Sequence, residues 1–217
     1  FFEKNNSNNT SGFFNIEVFN NFLKFNFIKD DIIRLTKGFI RSELVNTSIE
    51  GEISINPNFF LKLDFEPSNL NMKKLFPLIQ KTYFSDNAHN LSLIKKINGI
   101  FNITSKIEGE IINKNGEVLF NDFKVGKNKS LSFNARISEF GKRGKIHFNL
   151  FKTLKYKRNL SKQIRIIGFL SPSISKVIFE KVSVDGSDLS LLKTKEYEKE
   201  FEDKIIMNSL ANFFSAS

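Results

Sequence analysis

Hydrophobic and polar residues alternate through the first third of the chain, as far as Phe65. Alternation with a period of two is typical of β-strands that bury one face. Residues 38–45 and 49–55 predict two further short strands, the second ending before Pro57. The pattern therefore predicts a run of consecutive strands joined by short turns. The apolar members of the clearest alternating stretches are Phe14, Ile16, Val18, Leu23, Phe25, Phe27, Phe59, Leu61, Leu63 and Phe65.

The alternation resumes after residue 97 and continues to residue 184. Residues 113–116 (Asn-Lys-Asn-Gly) predict a hairpin, because Asn and Gly tolerate the positive φ that a tight turn needs. Residues 126–129 and 141–144 predict two more turns, and Asp185 and Gly186 close the last strand. Short turns between consecutive strands favour antiparallel pairing. We therefore predict a mostly β fold, an antiparallel meander of about ten strands that curves into a groove-like sheet.

Two segments break the alternation. Ser68 and Asn69 can cap the free amides at the start of a helix, and apolar residues follow at helical spacing, so a short helical insert is predicted at about residues 69–97. Residues 191–217 carry an apolar stripe among charged residues, which predicts an amphipathic C-terminal helix. Packing of this helix on the sheet is favoured over binding to a partner or membrane. The predicted organisation is a linker or fragment edge at residues 1–12, a β-rich domain at residues 13–190 and the C-terminal helix.

The composition excludes several kinds of chemistry. The 217 residues include no Cys, which excludes disulfides, zinc–thiolate sites and a Cys nucleophile. The two histidines, His89 and His147, are far apart in sequence, which disfavours a His-based metal site or a Ser-His-Asp triad. No apolar run reaches the ~20 residues of a membrane-spanning helix. We expect no metal site and no cofactor.

Carboxylate pairs that could act as acid and base do not stand out. Glu50 and Glu52 flank one glycine, and Glu108 and Glu110 flank another, at positions that alternate with the apolar face. Solvated strand faces are therefore favoured over a glycosidase-like pair. We predict that the protein is not an enzyme.

The net charge of +10 is concentrated in a segment that follows Leu150. Binding to single-stranded nucleic acid usually interleaves aromatic side chains with basic ones, and Tyr156 alone does so here, so we predict no nucleic-acid partner. Anionic lipid headgroups near such a surface would contribute about 1 kcal/mol per Lys or Arg. A solvated basic loop is slightly favoured over both of these interpretations. The candidates for headgroup contact are Lys152, Lys155, Lys157 and Arg158.

The chain has 26 Phe, and AT-rich coding accounts for that residue type but not for its repeated placement at alternate positions. With few helices available to cover the apolar faces, the sheet either closes on itself as a sandwich or barrel or curls into a partly open groove. A 16-carbon acyl chain would gain on the order of 12 kcal/mol in such a groove, at about 0.8 kcal/mol per CH₂. A lipid is the natural occupant. The groove candidates are Leu61, Leu63, Phe65, Phe101, Ile103, Phe133, Ala135, Ile137, Ile146, Phe148 and Leu150.

Several segments resemble AsmA-like proteins. Residues 44–59 (LVNTSIEGEISINPNF) resemble the strand–Gly–strand–Pro passage common in that family. Residues 65–75 are similar to its step from a strand into an Asn-Leu-x-x-x-x-Leu helix, and residues 98–116, with 121–123 and 182–186, look like its closing strand meander. The resemblance covers roughly residues 38–190 and rests on the order of the segments.

Membership of that family would imply a Gram-negative envelope protein that is anchored in the inner membrane by an upstream helix. Its periplasmic β-groove would help to move phospholipid towards the outer membrane or support outer-membrane assembly, without catalysis. The implied partners are phospholipid, the membrane through that anchor, and other envelope proteins. The alternative is a structural β-scaffold or protein-interaction module of the envelope, whose apolar faces close on each other and hold no lipid.

Overall fold

The computed structural model describes residues 2–4, 9–56, 58–71, 95–126, 129–139, 144–157, 160–171 and 176–188, together with residues 74, 78 and 84. These residues form a single sheet of fourteen strands. The strands are β1 (Phe2–Lys4), β2 (Thr10–Val18), β3 (Asn21–Lys29), β4 (Ile33–Arg41), β5 (Val45–Ser54), β6 (Phe60–Leu70), β7 (Asn98–Thr104), β8 (Ile107–Lys114), β9 (Glu117–Val125), β10 (Leu131–Glu139), β11 (Lys145–Lys157), β12 (Leu160–Ser171), β13 (Lys176–Val184) and β14 (Ser187–Asp188).

Strands that are consecutive in sequence are neighbours in the sheet, from β1 at one edge to β14 at the other. Every pair is antiparallel except β6 and β7, which are parallel. The prediction of a mostly β, mostly antiparallel meander is therefore confirmed. The described part of the chain has more strands than predicted, partly because the edge strands β1 and β14, of 3 and 2 residues, are too short to show alternation. Since the described strands form one open sheet, they build neither a sandwich nor a closed barrel.

The tight turns follow the predicted chemistry. Asn115 and Gly116 have φ values of 54° and 88°, and Asp185 and Gly186 have 49° and 85°. The prediction of a strand at residues 38–45 is wrong in its second half, because β4 ends at Arg41. The hydroxyl of Ser42 accepts hydrogen bonds from the backbone amides of Leu44 and Val45, and this local bonding turns the chain before β5 begins.

The predicted helix start at Ser68 and Asn69 is also wrong, because both residues continue β6. Asn69 pairs with Asn46 of β5, and the Ser68 hydroxyl donates a hydrogen bond to the Asn46 carbonyl. Pairing with β5 extends past Pro67, whose missing amide is accommodated where the register shifts between Asn46 and Thr47. The remainder of the predicted insert lies outside the described residues, apart from a few positions.

The chain must cross the sheet between β6 and β7, since parallel strands begin at the same end. Of that connection, Phe84 is described, and it is buried against Val118 and Ile137. A second buried cluster consists of Leu35, Ile49 and Leu63 on β4, β5 and β6. Both clusters lie on the same side of the sheet. The connection therefore passes over that side at Phe84.

The structure describes part of the predicted N-terminal linker at residues 1–12. β1 pairs with Thr10–Gly12 at the start of β2. The sheet therefore already includes residues for which we predicted a linker. The predicted C-terminal helix at residues 191–217 lies outside the described residues. Within the described part of the chain, no helix is long and apolar enough to cross a membrane.

Candidate functional site

One row of residues crosses the sheet from β2 to β13 without a polar member. Each is the register partner of the next on the neighbouring strand, so the row runs across the strands. At about 4.8 Å between strands, the row spans roughly 50 Å. We call it the central row, and the side of the sheet that carries it the apolar face. The central row consists of Gly12, Phe27, Leu35, Gly51, Leu63, Phe101, Ile111, Phe120, Ala135, Phe148, Gly168 and Phe179.

All of the residues predicted for the groove lie on the apolar face. On β6, Leu63 and Phe65 pair with the two candidates on β7, and Leu61 pairs with Gly99. The three candidates on β10 pair with the three on β11. Between these two groups, Ile111 pairs with Phe101 and Phe120. The side chains are buried or half-buried, and Ile137 is only 2% exposed. The structure therefore places on one surface Leu61, Leu63, Phe65, Phe101, Ile103, Phe133, Ala135, Ile137, Ile146, Phe148 and Leu150.

The prediction of the groove omitted residues that the structure adds to the same face. Leu35, Ile111 and Phe120 belong to strands whose alternation is readable in the sequence, so the same signal could have found them. Phe84 lies outside any alternating stretch, and no sequence signal indicated that it would pack on Val118 and Ile137.

Five glycines lie where the backbone of a neighbouring strand comes close to the apolar face. A Cβ on Gly51 would lie 2.1 Å from the carbonyl oxygen of Lys62, and one on Gly168 would lie 2.2 Å from that of Ile178. Cβ atoms of directly paired residues are normally about 4.5–5.5 Å apart. Neither position has room for a side chain. The other three are Gly38, Gly99 and Gly109.

The opposite side, the polar face, carries charged and amide side chains over the same strands. Asn102 donates a hydrogen bond of 2.7 Å to the carboxylate of Asp64, and Asn102 pairs with Glu110. An open depression of about 770 Å³ lies over this face, lined by Asp64, Asn102, Glu110 and Asn121 among others. The polar face also carries the exposed Phe13, Phe39 and Phe151, so it is mixed in character, whereas the central row has no polar member.

Ion pairs on the polar face shift one carboxyl group. The ammonium group of Lys129 donates a hydrogen bond to Glu108 and holds the pKa of that carboxyl below its ordinary value, and Lys124 adds to the effect. Partial desolvation opposes this shift. Glu108 is therefore a charged member of an ion-pair cluster. A raised pKa, which a general acid would need at neutral pH, is the opposite behaviour.

The residues predicted to contact headgroups do not all lie in the same part of the sheet. Lys152 pairs with Leu131 and Ile164, so it lies on the apolar face at one end of the groove candidates. Lys155 and Lys157 belong to the part of β11 that pairs with β12 alone. The pairing of β11 with β10 ends at Lys152. Arg158 lies outside the described residues. The segment predicted as a basic loop is therefore largely strand.

Among the residues that the structure describes, no three His, Asp or Glu side chains are grouped so that they could hold a metal ion. No protein-family model matches the chain, and neither a curated protein nor a solved structure matches it.

Proposed function

We propose that the apolar face is a groove that binds the acyl chains of phospholipid. In this proposal the protein is a non-enzymatic component of the Gram-negative envelope that holds or conducts lipid between the inner and outer membranes. The observation that carries the proposal is the central row, which is apolar on every strand from β2 to β13.

The length of the central row supports a linear apolar ligand. A long apolar surface can contact an acyl chain along the whole length of that chain. Each CH₂ group that is buried contributes about 0.8 kcal/mol. The described residues provide no second sheet over the apolar face, and most of the groove candidates are half-buried rather than fully buried. A compact polar metabolite would leave most of this surface unused.

The glycines support a concave shape for the apolar face. At Gly51 and Gly168 the neighbouring backbone occupies the space of a side chain, so adjacent strands approach closely at these two points of the apolar face. Bulges lie beside Gly38, Gly109 and Gly168, where the register shifts, and bulges increase the local bend and twist of a sheet. A sheet that bends towards its apolar side forms a groove that shields an acyl chain from water.

The proposal also covers the site of the lipid headgroup and the cellular location. Lys152 lies beside Leu131 and Ile164, where an ammonium group could pair with a lipid phosphate while acyl chains lie along the central row. The periplasmic location, the upstream inner-membrane anchor and the envelope partners derive from the resemblance to AsmA-like proteins.

Photo-crosslinking in pairs of positions tests the groove. Because side chains alternate between faces, moving a crosslinking residue by one position transfers it from the apolar to the polar face. The chain would be expressed in a Gram-negative host, irradiated, and examined by mass spectrometry for covalent lipid adducts and for lipid that co-purifies. The test positions are Leu63, Phe133 and Phe148, and their matched controls are Lys62, Asn134 and His147.

We expect lipid adducts at the three apolar positions, at least tenfold above those at the controls. Equal labelling of both faces would show unspecific contact with lipid and contradict the groove. A folded chain that carries no lipid and gives no adducts would favour the structural scaffold instead.

A further inference from the structure

The turn between β2 and β3 presents the most exposed large hydrophobic side chain among the described residues. Phe19 is 92% exposed, and Val18 beside it is 51% exposed. Single exposed apolar residues are common on protein surfaces. Here, however, Ile16 of the same strand is also exposed, at 42%, and it lies on the same face of β2 as Val18. The exposed apolar surface therefore continues from the tip onto one face of the hairpin.

The backbone at Phe19 is in a conformation that a phenylalanine rarely adopts. Its φ is 46°, and that of Asn20 is 64°. Tight hairpin turns strongly prefer Asn, Asp and Gly at such left-handed positions. The two other turns of this kind in the described chain follow that preference, with Asn115-Gly116 and Asp185-Gly186. Phe19 is therefore disfavoured at its position both by sterics and by exposure to water.

The phenyl ring does not hold the turn together. The side-chain amide of Asn21 donates hydrogen bonds to the carbonyl oxygens of Val18 and Phe19, at 3.1 and 3.2 Å. Both acceptors are backbone oxygens, so neither bond depends on the side chain at position 19. The structure of the hairpin thus gives no reason for a large apolar side chain at position 19.

We propose that this hairpin tip inserts Phe19 into the interfacial region of an anionic lipid bilayer. A bilayer surface can take up a projecting tip such as Phe19 together with Val18 and Ile16 beside it, without a pocket shaped to enclose the ring. The net charge of +10 favours an anionic surface. At this end of the strands Lys24, Arg41 and Lys74 outnumber Glu17 and Glu43.

Insertion is shallow. β1 pairs only with Thr10–Gly12, so no described strand covers the outer backbone edge of Phe13–Val18. Unpaired backbone groups are costly in hydrocarbon, and this keeps β2 out of the bilayer core while the tip lies at the level of the headgroups. This docking does not depend on the proposed lipid groove, because a chain with an empty groove would still insert the tip.

Tryptophan fluorescence tests the insertion directly, because the natural sequence contains no Trp. Phe19→Trp places a single reporter at the tip, and Ile55→Trp places one at an exposed position at the other end of the strands. The full chain would be mixed with vesicles of phosphatidylcholine and phosphatidylglycerol in equal parts, with and without brominated acyl chains. We expect a blue shift and quenching by bromine for the reporter at position 19, and neither for the one at position 55.

A second variant separates membrane binding from folding. Phe19→Asn places at the tip a residue that the backbone conformation prefers, so the urea midpoint should be equal to or higher than that of the wild type. Its binding to the same vesicles in co-sedimentation should be about tenfold weaker, because the largest inserted apolar group is lost. Ile55→Asn is the control and should bind as the wild type does.

Three outcomes would overturn the proposal. The first is a wild-type chain that does not bind the vesicles, and the second is undiminished binding by Phe19→Asn. The third is a clear loss of stability in Phe19→Asn, which would show that the ring has a structural role. Lipid adducts in the groove crosslinking experiment would be unaffected by any of these, so the two proposals can fail separately.

Discussion

Replacing Gly51 by alanine should destabilise the sheet at the junction of β5 and β6. The added Cβ would lie 2.1 Å from the carbonyl oxygen of Lys62 and 2.9 Å from the Cα of Leu63, and both are backbone atoms that no side-chain rotation can move away. Gly51 also has a φ of 146°, which residues with a side chain rarely adopt. Relief therefore requires the two strands to separate or the backbone of β5 to change conformation.

The magnitude follows from these two effects. Overpacking in a well-packed region costs typically about 1–3 kcal/mol, and a disfavoured backbone conformation costs about 1–3 kcal/mol. Restriction of the unfolded chain by alanine offsets about 0.4–1 kcal/mol. We expect the free energy of unfolding to fall by about 2–4 kcal/mol, which is a large part of the stability of a typical domain.

Urea unfolding followed by circular dichroism measures this change, and Gly126→Ala is the matched control. Gly126 also has a positive φ, of 84°, but no atom lies within 4 Å of a Cβ placed there, so its substitution isolates the conformational cost. We expect Gly126→Ala to cost about 1 kcal/mol. If Gly51→Ala cost no more than this control, the close approach of β6 to Gly51 would be wrong.

Three further predictions concern the core, a turn and an ion pair. Ile137→Ala should lower the free energy of unfolding by about 2–5 kcal/mol in urea titration, whereas Ile28→Ala, at a position that is 41% exposed, should cost much less; similar losses would contradict the packing. Asn115→Ala should cost about 1 kcal/mol, because alanine is disfavoured at φ 54°, and a neutral effect in thermal unfolding would argue against this turn. The pKa of Glu108 lies below its ordinary 4.5 in the folded chain because Lys129 donates a hydrogen bond to it. Its stabilising effect is therefore present above pH 4.5 and is lost as the pH falls through the folded pKa. Glu108→Gln should flatten the decline of thermal stability between about pH 5 and pH 3, and an unchanged slope would refute the assignment.

The sequence was informative where structure depends on neighbours along the chain. Leu61, Leu63 and Phe65 alternate with exposed Lys62 and Asp64, and this local period was sufficient to place them on one face of a strand. The same holds for the Asn115-Gly116 turn, since its residues themselves determine the allowed φ values.

Features that depend on distant partners could not be predicted in this way. Ser68 and Asn69 resemble a helix start, but β5, more than twenty residues earlier, supplies their hydrogen-bond partners. The alignment of Ala135 between Phe120 and Phe148 depends on bulges and turns that set the register, so the continuity of the central row was not readable from any single strand. The close approach of β6 to Gly51 likewise has no local signal in the sequence.

The parallel junction of β6 and β7 also affects how the sheet forms. On either side of it, every strand pair closes through a short turn, so β2–β6 and β7–β13 are each built from local contacts that form rapidly. The pair β6–β7 instead must close the long connection of residues 71–97, which carries a larger entropic cost. We expect two half-sheets that fold first and join last at this seam, and pulsed hydrogen exchange would show the amides between β6 and β7 protected after those of the hairpins. Until the seam closes, each half-sheet exposes one additional hydrogen-bonding edge, which makes the nascent chain most vulnerable to aggregation at its centre.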